Sequence, residues 1–133
     1  MAVSGIRYAI SHTTHRPFDE TVEHVRAALA AEGFGVLCEV DVEATMRAKL
    51  GVEREPYVIL GACNPPLAHE ALTAEPDLGV FLPCNVVVYA GGGVTHVAAV
   101  DPRQLFELVG KAEVAPVADE VRARLERVVA AVV

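Results

Sequence analysis

The chain has 133 residues, enough for one domain whose core needs neither disulfide nor metal support. A formal net charge of -7, from 11 basic and 18 acidic residues with no basic cluster longer than a pair, argues against a phosphate-backbone ligand, and three cysteines are too few for a disulfide scaffold. Hydrophobic residues make up 53% and the mean hydropathy is +0.36, which predicts apolar surface covered by a partner, most economically a second copy of the chain.

From the N-terminus, Ile6, Tyr8 and Ile10 alternate with polar or small residues and predict a strand over Ser4 to Ile10, followed by a polar loop from Ser11 to Arg16. Pro17 to Glu32 reads as a helix, with Asp19, Glu20 and Glu23 early, Val22, Val25, Ala28 and Leu29 at helical spacing, and Gly33 as the stop. A second strand, Phe34 to Asp41, leads to a short helix closed by Gly51, with Asp41 as its cap. Tyr57 to Ala62 is apolar throughout and predicts a central strand. Pro65 or Pro66 then opens a third helix running to about Ala74.

Val80 to Ala90 is the longest apolar run, and Pro83 inside it predicts a bulge or an edge, since proline cannot donate to a ladder. Gly91-Gly92-Gly93 predicts a hairpin turn returning through Val94 to Val100, and Asp101-Pro102 opens a helix. Val117, Val121, Leu125, Val128 and Val132 mark a final amphipathic helix. The expected fold is α+β: a single mixed, mostly antiparallel sheet of about five strands with helices mainly on one face. Residues 1–110 would form the domain, and 111–133 a C-terminal helix packed on it or on a dimer interface. No apolar run approaches the roughly 18 to 20 residues of a membrane span, and Met1 to Arg7 lacks the basic and apolar stretches of a secretion signal. A cytoplasmic protein with reduced thiols is expected.

Two segments carry the candidate chemistry, Leu60-Gly61-Ala62-Cys63-Asn64-Pro65 and Leu82-Pro83-Cys84-Asn85-Val86, each joining a Cys-Asn step to a proline. Cys63 lies between a strand and a helix start, where free N–H groups and the helix dipole favour a thiolate or a ligand anion, with Asn64 as a hydrogen-bonding partner. Cys84 and Asn85 are successive strand residues and point to opposite faces. Cys63, Asn64, Cys84 and Asn85 are therefore the candidate binding residues, and the two thiols candidate ligands of a soft metal ion, with His69 or His96 needed to complete a zinc site. Packing is the competing reading for both thiols, and core burial is the expectation for Cys38. Glu39 and Asp41 read as a solvated face and a cap rather than a catalytic carboxylate pair, and His12 and His15 as a loop pair titrating in solvent.

The succession Glu32-Gly33-Phe34-Gly35-Val36, Glu39-Val40-Asp41-Val42, Ala48-Lys49-Leu50-Gly51-Val52, Pro56 through Pro65, Leu82 through Val88 and Val100-Asp101-Pro102 resembles the domain of unknown function 302 family, over about Phe18 to Leu108. The resemblance implies a small, dimeric α+β protein without an established activity. It marks Cys63, Asn64, Pro65, Pro83, Cys84 and Asn85 as matching hallmark positions and leaves Val114 to Val133 outside. Two functions compete on this reading. One is a homodimeric module binding or sensing a small ligand or soft metal in a Cys-Asn pocket; the other is a thiol enzyme of sulfur transfer or redox chemistry with Cys63 as nucleophile.

Overall fold

The computed structural model describes residues 7–133. In chain order it runs β1 (Ala9–Thr14), α1 (Phe18–Ala31), β2 (Gly35–Asp41), α2 (Val42–Leu50), β3 (Tyr57–Cys63), α3 (Pro65–Ala74), a 3-10 turn (Pro76–Phe81), β4 (Cys84–Gly91), β5 (Val94–Val100), α4 (Pro102–Glu107), a 3-10 turn (Ala112–Val114) and α5 (Ala115–Ala131). The strands form one sheet in the order β1-β5-β4-β3-β2, and every neighbouring pair is antiparallel. The α+β expectation is met, with no parallel pair in the sheet.

Period-two alternation decides which face is core. Val58, Leu60, Val86, Val88, Val97 and Ala99 are buried along one face, while Ile59, Val87 and Ala98 between them are half-exposed on the other. Helices α1 and α5 cover the first face: Val25 and Leu29 of α1 and Leu125, Val128 and Val129 of α5 are fully buried. The C-terminal helix thus packs on its own domain. It is also tied to the end of α1, where Arg124 donates to the Glu32 carbonyl at 2.8 Å and Arg127 makes a two-pronged contact with the Glu32 carboxylate at 3.1 and 2.9 Å. That contact holds the Glu32 carboxyl below its ordinary range.

Local chemistry sets the ends of the elements. Asp41 accepts from the Ala44 N–H at 2.9 Å and Asp101 from the Arg103 N–H at 3.1 Å, so both caps read from the sequence are present. Gly92 and Gly93 have φ of 64° and 80°, the left-handed pair that a tight two-residue hairpin between β4 and β5 requires.

Four expectations are corrected. Ser11 to Thr14 is strand rather than loop: β1 pairs with β5 from Ala9↔Val100 to Thr14↔Thr95, and an edge strand tolerates polar residues that the alternation test reads as loop. The expected start at Ser4 lies outside the described residues. The run Val80 to Ala90 is not one strand, because Val80 and Phe81 belong to a 3-10 turn, a cis Leu82-Pro83 bond follows, and β4 begins only at Cys84. The irregularity assigned to Pro83 occurs instead in β2, where Leu37 is the extra residue of a bulge between Val36 and Cys38. Finally, β3 is interior to the sheet but covered on one face only, since Tyr57 and Ile59 remain half-exposed on the other.

Candidate functional site

The two cysteine segments meet where β3 ends and β4 begins. Ala62 pairs with Cys84 across the β3-β4 ladder, so Cys63 lies one residue beyond the position opposite Cys84. Antiparallel pairing thus answers the question of neighbourhood that spacing along the chain leaves open.

Above this junction is a cavity of about 280 Å³, partly open to solvent. Its walls come from α3 (Leu67, Ala68, Ala71, Leu72), from Phe34, Leu82 and Pro83, and from Phe106, Val117 and Val121 on the α4-α5 side. Cys63, Asn64 and Cys84 supply the sulfur and polar groups in an otherwise apolar lining. Cys63 is partly exposed and Cys84 buried. Burial, reinforced by the neighbouring Cys63 thiol, pushes the Cys84 thiol up to about 11, so it is protonated at neutral pH.

The geometry changes what the other candidates can do. Asn64 is the cap of α3: its side-chain oxygen accepts from the Leu67 N–H at 3.3 Å and its amide nitrogen donates to the Glu32 carbonyl at 3.4 Å. Both ends of the carboxamide hold the fold, and Asn64 presents only its remaining surface to the cavity. Asn85 is exposed on the opposite sheet face, across from Gly61, and does not line the cavity. A pocket containing both Cys-Asn pairs is therefore not what the strand geometry builds.

The anion cradle expected at the start of α3 is also missing. Pro65 and Pro66 have no N–H, the Leu67 N–H is taken by Asn64, and the Ala68 N–H bonds the Asn64 carbonyl at 2.8 Å. What remains is a neutral, apolar chamber. As for metal, no group of three or more His, Cys, Asp or Glu side chains is arranged to hold an ion among the described residues. His69 is exposed on α3, and His96 lies on β5 with its ring stacked at 4.5 Å on Tyr89, so neither completes a site with the two thiols.

Cys38 is exposed rather than core, because β2 is an edge strand whose residues are almost all open to solvent. Its sulfur sits over Gly61: a Cβ at Gly61 would lie 2.6 Å from Cys38 Sγ and 2.9 Å from Pro83 Cγ. Glycine at this position is what lets the proline ring lie against the sheet. Glu39 is ion-paired with Arg26 of α1, and Asp41 caps α2. His15 is exposed as expected, whereas His12 is half-buried in β1. Sequence reasoning missed the cavity walls Phe34, Leu82, Phe106, Val117 and Val121; each occupies an ordinary apolar position, and nothing in local spacing signals that they converge.

A family model described as "Domain of unknown function DUF302" matches residues 10–132. The chain belongs to the DUF302 family. The match extends past Leu108 through α5, so the C-terminal helix is within the DUF302 span rather than an addition to it. Among solved structures, the chain is similar to an uncharacterised conserved DUF302 protein from Bacillus stearothermophilus, with 29% identity and a TM-score of 0.88 over 94% of this chain and 98% of that one. No curated protein matches the chain. No helix among the described residues is long and apolar enough to cross a membrane.

Proposed function

We propose that this DUF302 protein binds a small, uncharged, mainly apolar molecule in the chamber between α3, α5 and the β3-β4 junction, with Cys84 as its soft contact and Cys63 at its rim. The observation that carries this reading is the lining: twelve apolar residues beside Cys63, Asn64 and the protonated Cys84, with every N–H of the first α3 turn absent or already bonded. A soft metal ion is the less supported occupant, because Cys84 must shed its proton to coordinate and no third His, Cys, Asp or Glu donor is grouped with the two cysteines among the described residues.

Ligand-observed NMR with toluene, hexanol and hexanoate tests the reading. Toluene and hexanol are expected to bind and hexanoate not, and Ala68→Phe, which fills the chamber from the half-exposed face of α3, is expected to weaken toluene at least tenfold, or about 1.4 kcal/mol. Tighter binding of hexanoate than hexanol, or an unchanged toluene affinity in Ala68→Phe, would overturn it.

We further propose that the protein acts as a homodimer joined through β2 and α2. Among the described residues, half of the large apolar side chains left exposed fall within this one arm: Leu37, which also lines the chamber, Val40, Leu50 and Val52, at 68%, 43%, 68% and 47% exposure, while α2 buries no residue at all. The open backbone of an antiparallel edge strand is complementary to itself across a two-fold axis, which selects a second copy as the occupant. Sedimentation velocity should show a dimer that Val40→Lys converts to monomer. A wild-type monomer at every accessible concentration refutes the arrangement.

A further inference from the structure

Capping α3 does not exhaust Asn64. A carboxamide offers two donor hydrogens and two acceptor lone pairs. Among the described residues the side chain makes two bonds, Oδ1 accepting from the Leu67 N–H at 3.3 Å and Nδ2 donating to the Glu32 carbonyl at 3.4 Å. One amide hydrogen and one lone pair stay uncommitted on a residue that is only 7% exposed. Gly33 approaches the same nitrogen so closely that a Cβ there would lie 3.0 Å from Nδ2. The backbone of Glu32 and Gly33 thus takes one side of the amide, and the chamber is the open space it borders.

Among the described residues that line the chamber, Asn64 alone carries a strong hydrogen-bonding side chain. The rest of the wall is apolar apart from two thiols, which are weak as donors and as acceptors, and it includes no charged side chain. An apolar occupant therefore strips water from the uncommitted N–H and leaves it without a partner, which costs about tenfold or more in affinity. An acceptor on the occupant recovers that loss. The N–H is the more demanding of the two uncommitted positions, since the oxygen already accepts one bond and buried oxygens tolerate partial use better than buried N–H groups do. A neutral carbonyl oxygen meets it without bringing a proton of its own, whereas a carboxylate would enter a wall that offers no cation. A cavity of about 150 Å³ takes up benzene, so the 280 Å³ here has room for a ring with a short side chain.

We propose that the chamber selects small apolar carbonyl compounds, such as ketones, aldehydes and esters, whose oxygen accepts from the uncommitted Nδ2–H of Asn64 while the hydrocarbon part lies along Leu67, Ala71 and Val121. The proposal rests on the chamber reading above and adds to it the one polar group that orients the ligand. Asn64 serves twice: its oxygen fixes the start of α3, and its nitrogen, held in place by that cap, anchors the carbonyl.

Acetophenone and α-methylstyrene provide the test, since they differ by little more than a carbonyl oxygen against a methylene group. Each is titrated into the full-length wild type and into Asn64→Asp, which keeps the size of the side chain and an oxygen for the Leu67 N–H but has no amide hydrogen. Comparing the ratio of the two affinities between the proteins cancels the difference in hydration of the compounds. The preference for acetophenone is expected to be about tenfold greater in the wild type than in the variant. The wild type alone supplies a second readout by NMR: acetophenone is expected to move the Asn64 side-chain amide proton resonances downfield, and α-methylstyrene to leave them nearly in place. An unchanged ratio, or Asn64 amide resonances that respond equally to both compounds, overturns the carbonyl anchor and leaves the apolar chamber standing. Failure of both compounds and of toluene to bind defeats the chamber reading itself, and the anchor with it.

Discussion

Leu125→Ala is expected to destabilise the protein by about 3 to 4 kcal/mol, measured as a lower urea midpoint at unchanged slope. Leu125 is fully buried on α5, one turn beyond Val121 and one before Val128 and Val129, in the middle of the buried face of the helix. Truncation removes its transfer energy and leaves a void that close packing on both sides cannot collapse. Leu125→Met, which nearly conserves volume, should cost less than about 1.5 kcal/mol. Because Val117 and Val121 of the same helix line the chamber, the alanine variant should also loosen whatever the chamber holds. A loss below about 1 kcal/mol would mean that α5 is not docked as described.

Alkaline pH is expected to weaken the wild type relative to Cys84→Ala by roughly 2 kcal/mol between pH 9 and pH 11. Burial, and then the neighbouring Cys63, oppose ionisation of the folded thiol and push it up to about 11, while in the unfolded chain it has the ordinary thiol value of 9.0. The unfolded state therefore sheds the Cys84 proton first as pH rises. The contribution is fully present below pH 9 and is lost as pH climbs through 11. Paired urea titrations of the two proteins across this window isolate it, since other alkaline groups are common to both. Parallel stability curves would show that Cys84 is not held protonated in the folded protein.

The same residue shows how a site can be half legible. Both Cys-Asn-proline segments stand out in the sequence, and alternation along β4 already separates Cys84 from Asn85, as the structure bears out with Cys84 buried and Asn85 exposed. Asn64 reads equally well as a ligand or as a cap, because the same carboxamide serves either; its bonds to Leu67 and Glu32 resolve this only in three dimensions. The helix-start argument for Cys63 rests on free N–H groups, and two successive prolines plus one cap remove them.

What the sequence determined by itself are the features governed by neighbours within a few residues: the caps at Asp41 and Asp101, the Gly92-Gly93 turn, the periodic faces of α1 and α5, and the α+β class. Only the tertiary structure decided that β1 runs through Ser11 to Thr14, that Cys38 is exposed, and that Cys63 and Cys84 share one apolar chamber. The physical reason is the range of the interaction. Caps, turns and periodicity are settled by hydrogen bonds and sterics along a short stretch of chain, whereas edge or interior placement and the convergence of walls on a cavity follow from strand order and register, which join residues far apart in sequence.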